Sequence, residues 1–569
     1  MADTALADHV SDPPPAAATR TLPVWWPLVA LTLLAAALRL GTLDLQSFWY
    51  DEAFTPVHVL HPGLAATLRA FVHTENTPPL WYVVVWGVSR VLGTGEIALR
   101  LPSALAGIAT VPVAWGIGWE LAGRGVSGRH AAILTAALVA VNPLFVWYSQ
   151  EARAYAFFVL FSALAMLCML RADRVPTPRR CALFALAGAL ALLSHYFAIF
   201  LLIPMGLWLL RPRRRRNEGA RADGGEGQRH SPTGAARHPT RSAGALRSPP
   251  RSVILAVGAL ALVGVALVPL IVAQGGHGTQ WIGEWALAAR LEAIPQYYLT
   301  GYSAAPLGHG VELLVALAVL AGLVLALWRV LTPQESNGAL LALAIAACGV
   351  LLPLALALLG ADYLAPRNLV AAMIPLSATI GVIVAARRAG RTGMALGALI
   401  AVAFLALSID VELSPRLQRG DWRGLAQTLR KGWRTPAVAP ASGSARGVDG
   451  TFASRNVPPQ TAITTVELGA APLEYYLPPL RNLARDTQVR VREIDETGYA
   501  PLARDAGTPP AAGFRLVQRA DANGLILYRF ASPVPRLVSE VALRTHVITP
   551  HAHPEVLVPG DRGAQAGAP

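Results

Sequence analysis

Residues 252–273 read SVILAVGALALVGVALVPLIVA, an unbroken run without a charged side chain. A bilayer core about 30 Å thick takes roughly 20 such residues as a helix. This stretch therefore reads as a membrane span. Working outward, comparable runs lie near 23–41, 97–121, 131–149, 154–171, 181–193, 196–210, 310–330, 338–359, 369–386 and 393–409. They predict an α-helical polytopic membrane protein with about eleven transmembrane helices. The stretch 181–210 reads either as two short spans or as one long tilted helix. The first run could be a cleaved signal peptide, but its length and its continuation into a motif-bearing region favour an uncleaved anchor behind a cytoplasmic tail, residues 1–22.

Composition agrees. Of 569 residues, 54% are apolar and 14% charged, far from the balance of a soluble domain. The formal charge of +14 comes from 48 Lys and Arg against 34 Asp and Glu, with Lys431 the sole lysine. No basic stretch interleaved with aromatics, zinc-finger spacing or helix-turn-helix pattern accompanies it, which sets nucleic acid aside. Cys168, Cys181 and Cys348 sit in or beside apolar runs and read as packing residues.

Charge then orients the spans. The run Pro78–Gly93 is short and opens with two prolines. If it lies along the membrane surface, the loops around 122–130, 171–180, 211–251 and 387–391 fall on the cytoplasmic side. All are rich in arginine, as the positive-inside rule asks. Residues 78–93 thus read as an interfacial helix within a large first outer loop, 42–96, of a membrane domain spanning 23–409. Residues 211–251 are rich in Arg, Gly, Pro and Ser and read as a disordered basic cytoplasmic linker. Beyond the last span, 410–545 carry β-prone runs at 461–466, 489–494 and 525–530 and a helix-like stretch at 422–430. They predict a soluble α/β domain on the outer face, followed by a disordered tail, 546–569.

Polar residues beside the membrane need a reason. Ser47–Thr55 reads SFWYDEAFT, with Asp51 and Glu52 adjacent among Trp49, Tyr50 and Phe54. An acid so placed suits a general base, although Asp51 is equally suited to capping a helix that starts near Glu52. In QEARAY, 150–155, Glu151 and Tyr155 are four apart and share a helical face. Arg39, Arg100, Arg153 and Arg367 fall at expected outer helix ends. Each alone reads as a snorkelling side chain. Together, around a loop bearing acids, they suggest an anion site for a phosphate headgroup. His195 could hydrogen-bond a sugar or phosphate, or simply end a helix. His546, His551 and His553 lie in a Pro-rich tail without a metal-binding scaffold. Trp281, Trp285, Tyr297, Tyr298 and Tyr302 could stack on sugar rings or anchor at the interface.

Seven segments in order carry a resemblance: SFWYDEA (47–53), TPPLWY (77–82), ALRLPSALAG (98–107), NPLFVWYSQEARAYAF (142–157), SHYFAIFLL (194–202), DYLAPRNL (362–369) and GDWRGLAQTL (420–429). The chain resembles the GT-C glycosyltransferases of family 39, related to protein O-mannosyltransferases and to the lipid A aminoarabinose transferase. The resemblance implies a GT-C fold and an inverting transfer of one sugar from a polyprenyl phosphate carrier to an acceptor hydroxyl. It places that transfer on the outer face of a bacterial plasma membrane. It implies Asp51 as the base and Glu52 as an orienting acid, with Glu151 standing in for an acid that the lipid A branch carries where this chain has Tyr155. Arg153, Arg100, Arg367 and Arg39 are the implied phosphate ligands, and Tyr155, His73, His195 and Tyr363 the substrate contacts. Thr77 stands where the lipid A branch commonly has lysine, which argues against membership of that branch.

The implied partners are a polyprenyl phosphate sugar, membrane lipid and a protein, glycan or glycolipid acceptor. No DxD, P-loop or GxGxxG accompanies these motifs, in keeping with a lipid-linked donor. No metal ligand set is assigned, and no cofactor is certain; a divalent ion stays open, since one or two carboxylates can bind one but need not. The alternatives are a multi-span transporter or flippase of lipid-linked sugars and a catalytically silent relative that binds them. A transporter calls for an internal repeat and ionisable groups near the midplane; neither is evident in the sequence.

Overall fold

The computed structural model describes residues 25–123, 125–214, 246–301, 330–434, 460–477, 479–546, 548–550 and 553–560. The tail 1–22, most of the basic linker and nearly all of the expected span 310–330 lie outside them. Six of the described helical segments are long and apolar enough to cross a membrane, at 96–122, 155–174, 251–274, 333–358, 366–384 and 390–413. A seventh arises if Val126–Val141 and Pro143–Ser149 count as one span. The stretch that allowed one helix or two is two: Pro178–Ser194 and Ala198–Leu210. The stretch expected to lie at the interface forms the helix Leu80–Leu92. Its 13 residues reach about 20 Å, well short of a bilayer core.

One break in a span has a legible cause. Helices Val126–Val141 and Pro143–Ser149 meet at 56°. Pro143 has no N–H for the carbonyl of Val139, and the Asn142 side chain takes the N–H of Leu144 at 3.0 Å, which would otherwise reach Ala140. Both abandoned carbonyls are met by Arg39, which donates to Val139 O at 3.2 Å and Ala140 O at 2.8 Å. Buried backbone acceptors in a membrane domain must find such partners. Gly107 leaves room for this, since a Cβ there would stand 2.0 Å from Ser149 Oγ and 2.9 Å from Arg39 Nε.

Among the described residues, the C-terminal region holds a six-stranded mixed sheet with three helices. In chain order its strands are β1 (Thr461–Thr465), β2 (Leu480–Asn482), β3 (Gln488–Tyr499), β4 (Arg515–Ala522), β5 (Leu525–Ser539) and β6 (Glu555–Pro559). The spatial order is β2-β6-β1-β3-β5-β4, with β1 and β3 parallel and the other neighbours antiparallel. Alternation along the strands fills two cores. Ile463, Leu525, Leu527 and Leu557 pack with Trp422, Leu425 and Leu429 of helix Trp422–Arg434 and Leu473 of helix Ala470–Tyr476, while Val491, Ile494, Phe530 and Val556 pack on the other face with Leu543.

One expectation is corrected here. Residues 555–559, assigned to a disordered tail, form β6 between β1 and β2. Their short EVLVP pattern has buried Val556, Leu557 and Val558 at its centre, a weak signal between Pro-rich flanks that the two neighbouring strands complete.

The sheet domain docks on the end of the helical bundle that carries the first loop. Ser47 Oγ accepts from Trp422 N at 3.0 Å and donates to Gly420 O, Tyr476 Oη accepts from Phe48 N at 2.8 Å, and Tyr475 Oη donates to Thr94 O. Arg423 pairs with Glu96 at 2.5 Å. The arginines of 171–180 lie at the other end of helix Tyr155–Arg174, where Arg171 and Arg174 face Glu120.

Candidate functional site

A cavity of about 430 Å³ opens where the first loop, the turn after Pro178–Ser194, the end of Arg251–Gln274 and the segment around Arg367 meet. Its two ends differ in chemistry. Leu192, Ile199, Phe200, Leu267 and Ile271 form an apolar wall. Ile199 and Ile271 on that wall are exposed. The polar end gathers Asp51, Glu75, Arg153, Tyr155, His195, Tyr363 and Arg367.

Two ion pairs organise the polar end. Arg367 Nη1 donates to Asp51 Oδ2 at 2.7 Å, and its guanidinium lies over the Trp281 ring, 4.7 Å from the centroid. Arg153 grips Glu75 through both oxygens at 3.1 and 3.0 Å and reaches the Asp51 carbonyl at 3.4 Å. Asp51 is thus set against a cation, where the sequence expected an aromatic enclosure. His195 stacks on Phe158 at 4.7 Å, and its Nδ1 accepts from Phe197 N. Burial first, then Arg367 and Arg153, pushes the imidazole down to about 3. It is neutral at ordinary pH, with its proton on Nε2. Tyr155 sits between Tyr148 and His195.

Other expected site residues serve elsewhere. Arg100, expected as a phosphate ligand, is 1% exposed. Its five donors are consumed by both oxygens of Glu52 and by the carbonyls of Leu43, Gln46 and Ser47. Arg39 is likewise enclosed and serves the helix break. Positive-inside reasoning singled out both because it registers charge at a helix end, and cannot tell an arginine aimed at substrate from one aimed at backbone.

Glu52, expected to orient substrate, is fully buried, held by Arg100 and by the N–H of Ala152 at 2.8 Å. Burial alone would raise its carboxyl, but Arg100 and Arg419 hold it below the usual range. Glu151 does not line the cavity either; it pairs with Arg419 at 2.7 Å. Burial, aided by Glu52 and Asp51 against the opposing pull of Arg419 and Arg367, pushes it up to about 7. His73 is exposed and outside the cavity lining. Spacing had joined Glu151 to Tyr155, but the helix begins only at Tyr155, so the four-residue relation does not hold.

Three contributors were missed. Glu75 stands just before the TPPLWY segment, where an acid two residues upstream was a usable signal. Asn76 ties the first loop to the 275–279 turn through His277 O at 3.2 Å. Arg419 precedes GDWRGLAQTL, and sequence alone gave no reason to bring it beneath the first loop.

Among the described residues, no group of three or more His, Cys, Asp or Glu is placed to hold a metal. The cavity's two carboxylates, Asp51 and Glu75, are each paired with a guanidinium, which a divalent ion would have to displace. His546 pairs with Glu496 and Thr508 in the sheet domain.

Residues 76–220 match the model of the dolichyl-phosphate-mannose-protein mannosyltransferase family. That match takes in Arg153, Tyr155 and His195 and starts after Asp51 and Glu75. Among solved structures, the chain is similar to ArnT from Cupriavidus metallidurans bound to undecaprenyl phosphate, at 12% identity and TM-score 0.47 over 88% of this chain and 97% of that one. The apo form of that protein gives the same values. The oligosaccharyltransferase AglB of Archaeoglobus fulgidus, in complex with an inhibitory peptide and a dolichol phosphate, is similar at 13% identity and TM-score 0.37 over 73% of this chain and 58% of that one. No curated protein matches.

Proposed function

We propose that this multi-pass membrane protein transfers one sugar from a polyprenyl phosphate carrier to an acceptor hydroxyl, with inversion, Asp51 serving as the base. The observation that carries this reading is the two-ended cavity, whose apolar wall suits an isoprenoid chain while Arg367 and Arg153 stand where its phosphate would arrive. The arginine-rich loops at the opposite end support placing the cavity on the outer face of a bacterial plasma membrane.

The chemistry follows from the pairing. Arg367 is shared between Asp51 and the incoming phosphate; as the phosphate draws it away, the Asp51 carboxylate is left to accept a proton. The acceptor oxygen then attacks the anomeric carbon from the side opposite the phosphate, and its proton passes to Asp51. The bond from that carbon to the phosphate oxygen breaks and its electron pair stays on the oxygen. Arg367 and Arg153 meet the charge that develops there, and the Nε2–H of His195 is a further donor for phosphate or a sugar hydroxyl. Tyr155 and Tyr363 complete the wall against which the sugar sits. No step is assigned to a divalent ion.

The test uses the full chain in lipid nanodiscs, offered a panel of polyprenyl phosphate monosaccharides with envelope extract, and follows release of free polyprenyl phosphate by mass spectrometry. Wild type releases it from one donor. Asp51→Asn lowers that rate by about 10²- to 10⁴-fold, the range of a lost general base, and retains carrier binding. Equal release by both removes Asp51 from the mechanism. No release by wild type from any donor, with the carrier still bound, favours a transporter or a silent binder.

A further inference from the structure

We propose that Arg419 is a positioning residue for Asp51, so that the segment leading from the last span into the sheet domain is a working part of the transferase site. The inference rests on the reading of Asp51 as the base.

Asp51 lies in helix Tyr50–Phe54, five residues long. A helix this short does not hold its own shape, so its geometry is imposed from outside. The grip is on the neighbouring residue. Glu52 is fixed by Arg100 through both oxygens and by Ala152 N, and Arg419 Nη1 approaches Glu52 Oε2 at 3.5 Å. Arg419 also holds Glu151 at 2.7 Å, and its guanidinium lies over Trp147 and Trp49 at 4.3 and 5.5 Å. Both side chains of the Arg419–Glu151 pair are almost wholly buried.

The backbone around Arg419 clamps the same loop. Arg419 N donates to Gln46 Oε1 at 3.0 Å, and Trp422 N to Ser47 Oγ at 3.0 Å. Residues 46–52 are thereby held on one side by the membrane domain through Arg100 and on the other by the stem of the sheet domain through Arg419. Charge makes the second hold necessary: Glu52 and Glu151 converge beneath Asp51, and Arg100 alone leaves one of these buried acids unmatched. A lysine's ammonium can donate to both acids but has no planar, rigid fork to lie over the Trp147 and Trp49 rings while doing so, so it holds the two acids less fixedly.

The experiment compares wild type, R419K and the double variant E151Q/R419Q, each as the full chain in nanodiscs. It reads transfer rate, binding of unglycosylated polyprenyl phosphate, thermal midpoint and hydrogen exchange at amides 48–55. R419K is expected to lose about tenfold or more in kcat, the scale of a small misplacement of a reacting group, with carrier binding within about twofold of wild type and faster exchange at 48–55. The double variant leaves no unmatched buried charge. It is expected to regain the wild-type midpoint while keeping the kcat loss.

Unchanged kcat and unchanged exchange in R419K overturn the proposal. So does recovery of kcat together with the midpoint in the double variant, which would make Arg419 a stability residue. If wild type transfers no sugar, the transferase reading fails by itself, and exchange at 48–55 still decides whether Arg419 holds the loop.

Discussion

Two arginines of the same expected role illustrate what a single residue's surroundings decide. Arg367 reaches the cavity and shares its charge with Asp51, whereas Arg100 gives all five donors to Glu52 and three carbonyls. Their substitution should separate binding from folding. Arg367→Gln is expected to weaken polyprenyl phosphate binding roughly 10- to 100-fold, the worth of a charged hydrogen bond, with thermal stability nearly unchanged. Arg100→Gln leaves Glu52 buried without its main partner and should cost about 3–5 kcal/mol of stability. The folded fraction should bind carrier as wild type does. Titrating carrier against each variant, alongside a thermal unfolding curve, checks both.

At the scale of elements, the broken span at Asn142–Pro143 is the feature that places QEARAY. The short helix Pro143–Ser149 turns the chain so that Glu151 drops beneath the first loop and Arg153 rises to the cavity. The break is sustained by Asn142, whose side chain caps Leu144 and Phe145 and donates to Tyr298 O, and by Arg39 on the abandoned carbonyls. Gly107→Ala drives a methyl into Ser149 and Arg39, and should lower stability by about 1–3 kcal/mol, as overpacking does. Measured by thermal unfolding in nanodiscs, a neutral Gly107→Ala would mean that Arg39 does not hold the break. In the sequence, 131–149 reads as a single span with no mark of this break, and the arginine from another span that completes it has no local signal.

For the whole molecule, docking of the sheet domain against the first loop is the feature with the widest consequence. Its contacts include Glu474, 3.5 Å from His58. Burial works against charge on both: it lowers the imidazole, while burial and the nearby Glu555 push the Glu474 carboxyl up to about 7. A carboxyl raised above its unfolded value of about 4.3 is protonated preferentially in the folded state. Its contribution is therefore full below about pH 4.3 and is lost as pH rises to about 7. Glu474→Gln should remove that part of the slope, read as the difference between variant and wild-type midpoints over this range. A difference that does not vary with pH would place the Glu474 carboxyl in a water-like setting.

Periodicity and length in the sequence determined a mostly helical protein with several apolar helices of span length and a C-terminal sheet domain, because lipid admits few ways to satisfy a backbone. The resemblance implied Asp51, Arg153, Tyr155, His195, Tyr363 and Arg367 as site residues, and all six line one cavity. Tertiary structure decided which charge faces the cavity and which is spent on structure. A charge pair is a relation between distant segments, 316 residues apart for Asp51 and Arg367 and 268 for Glu151 and Arg419. No local pattern encodes that distance; packing of the helices and docking of the sheet domain set it.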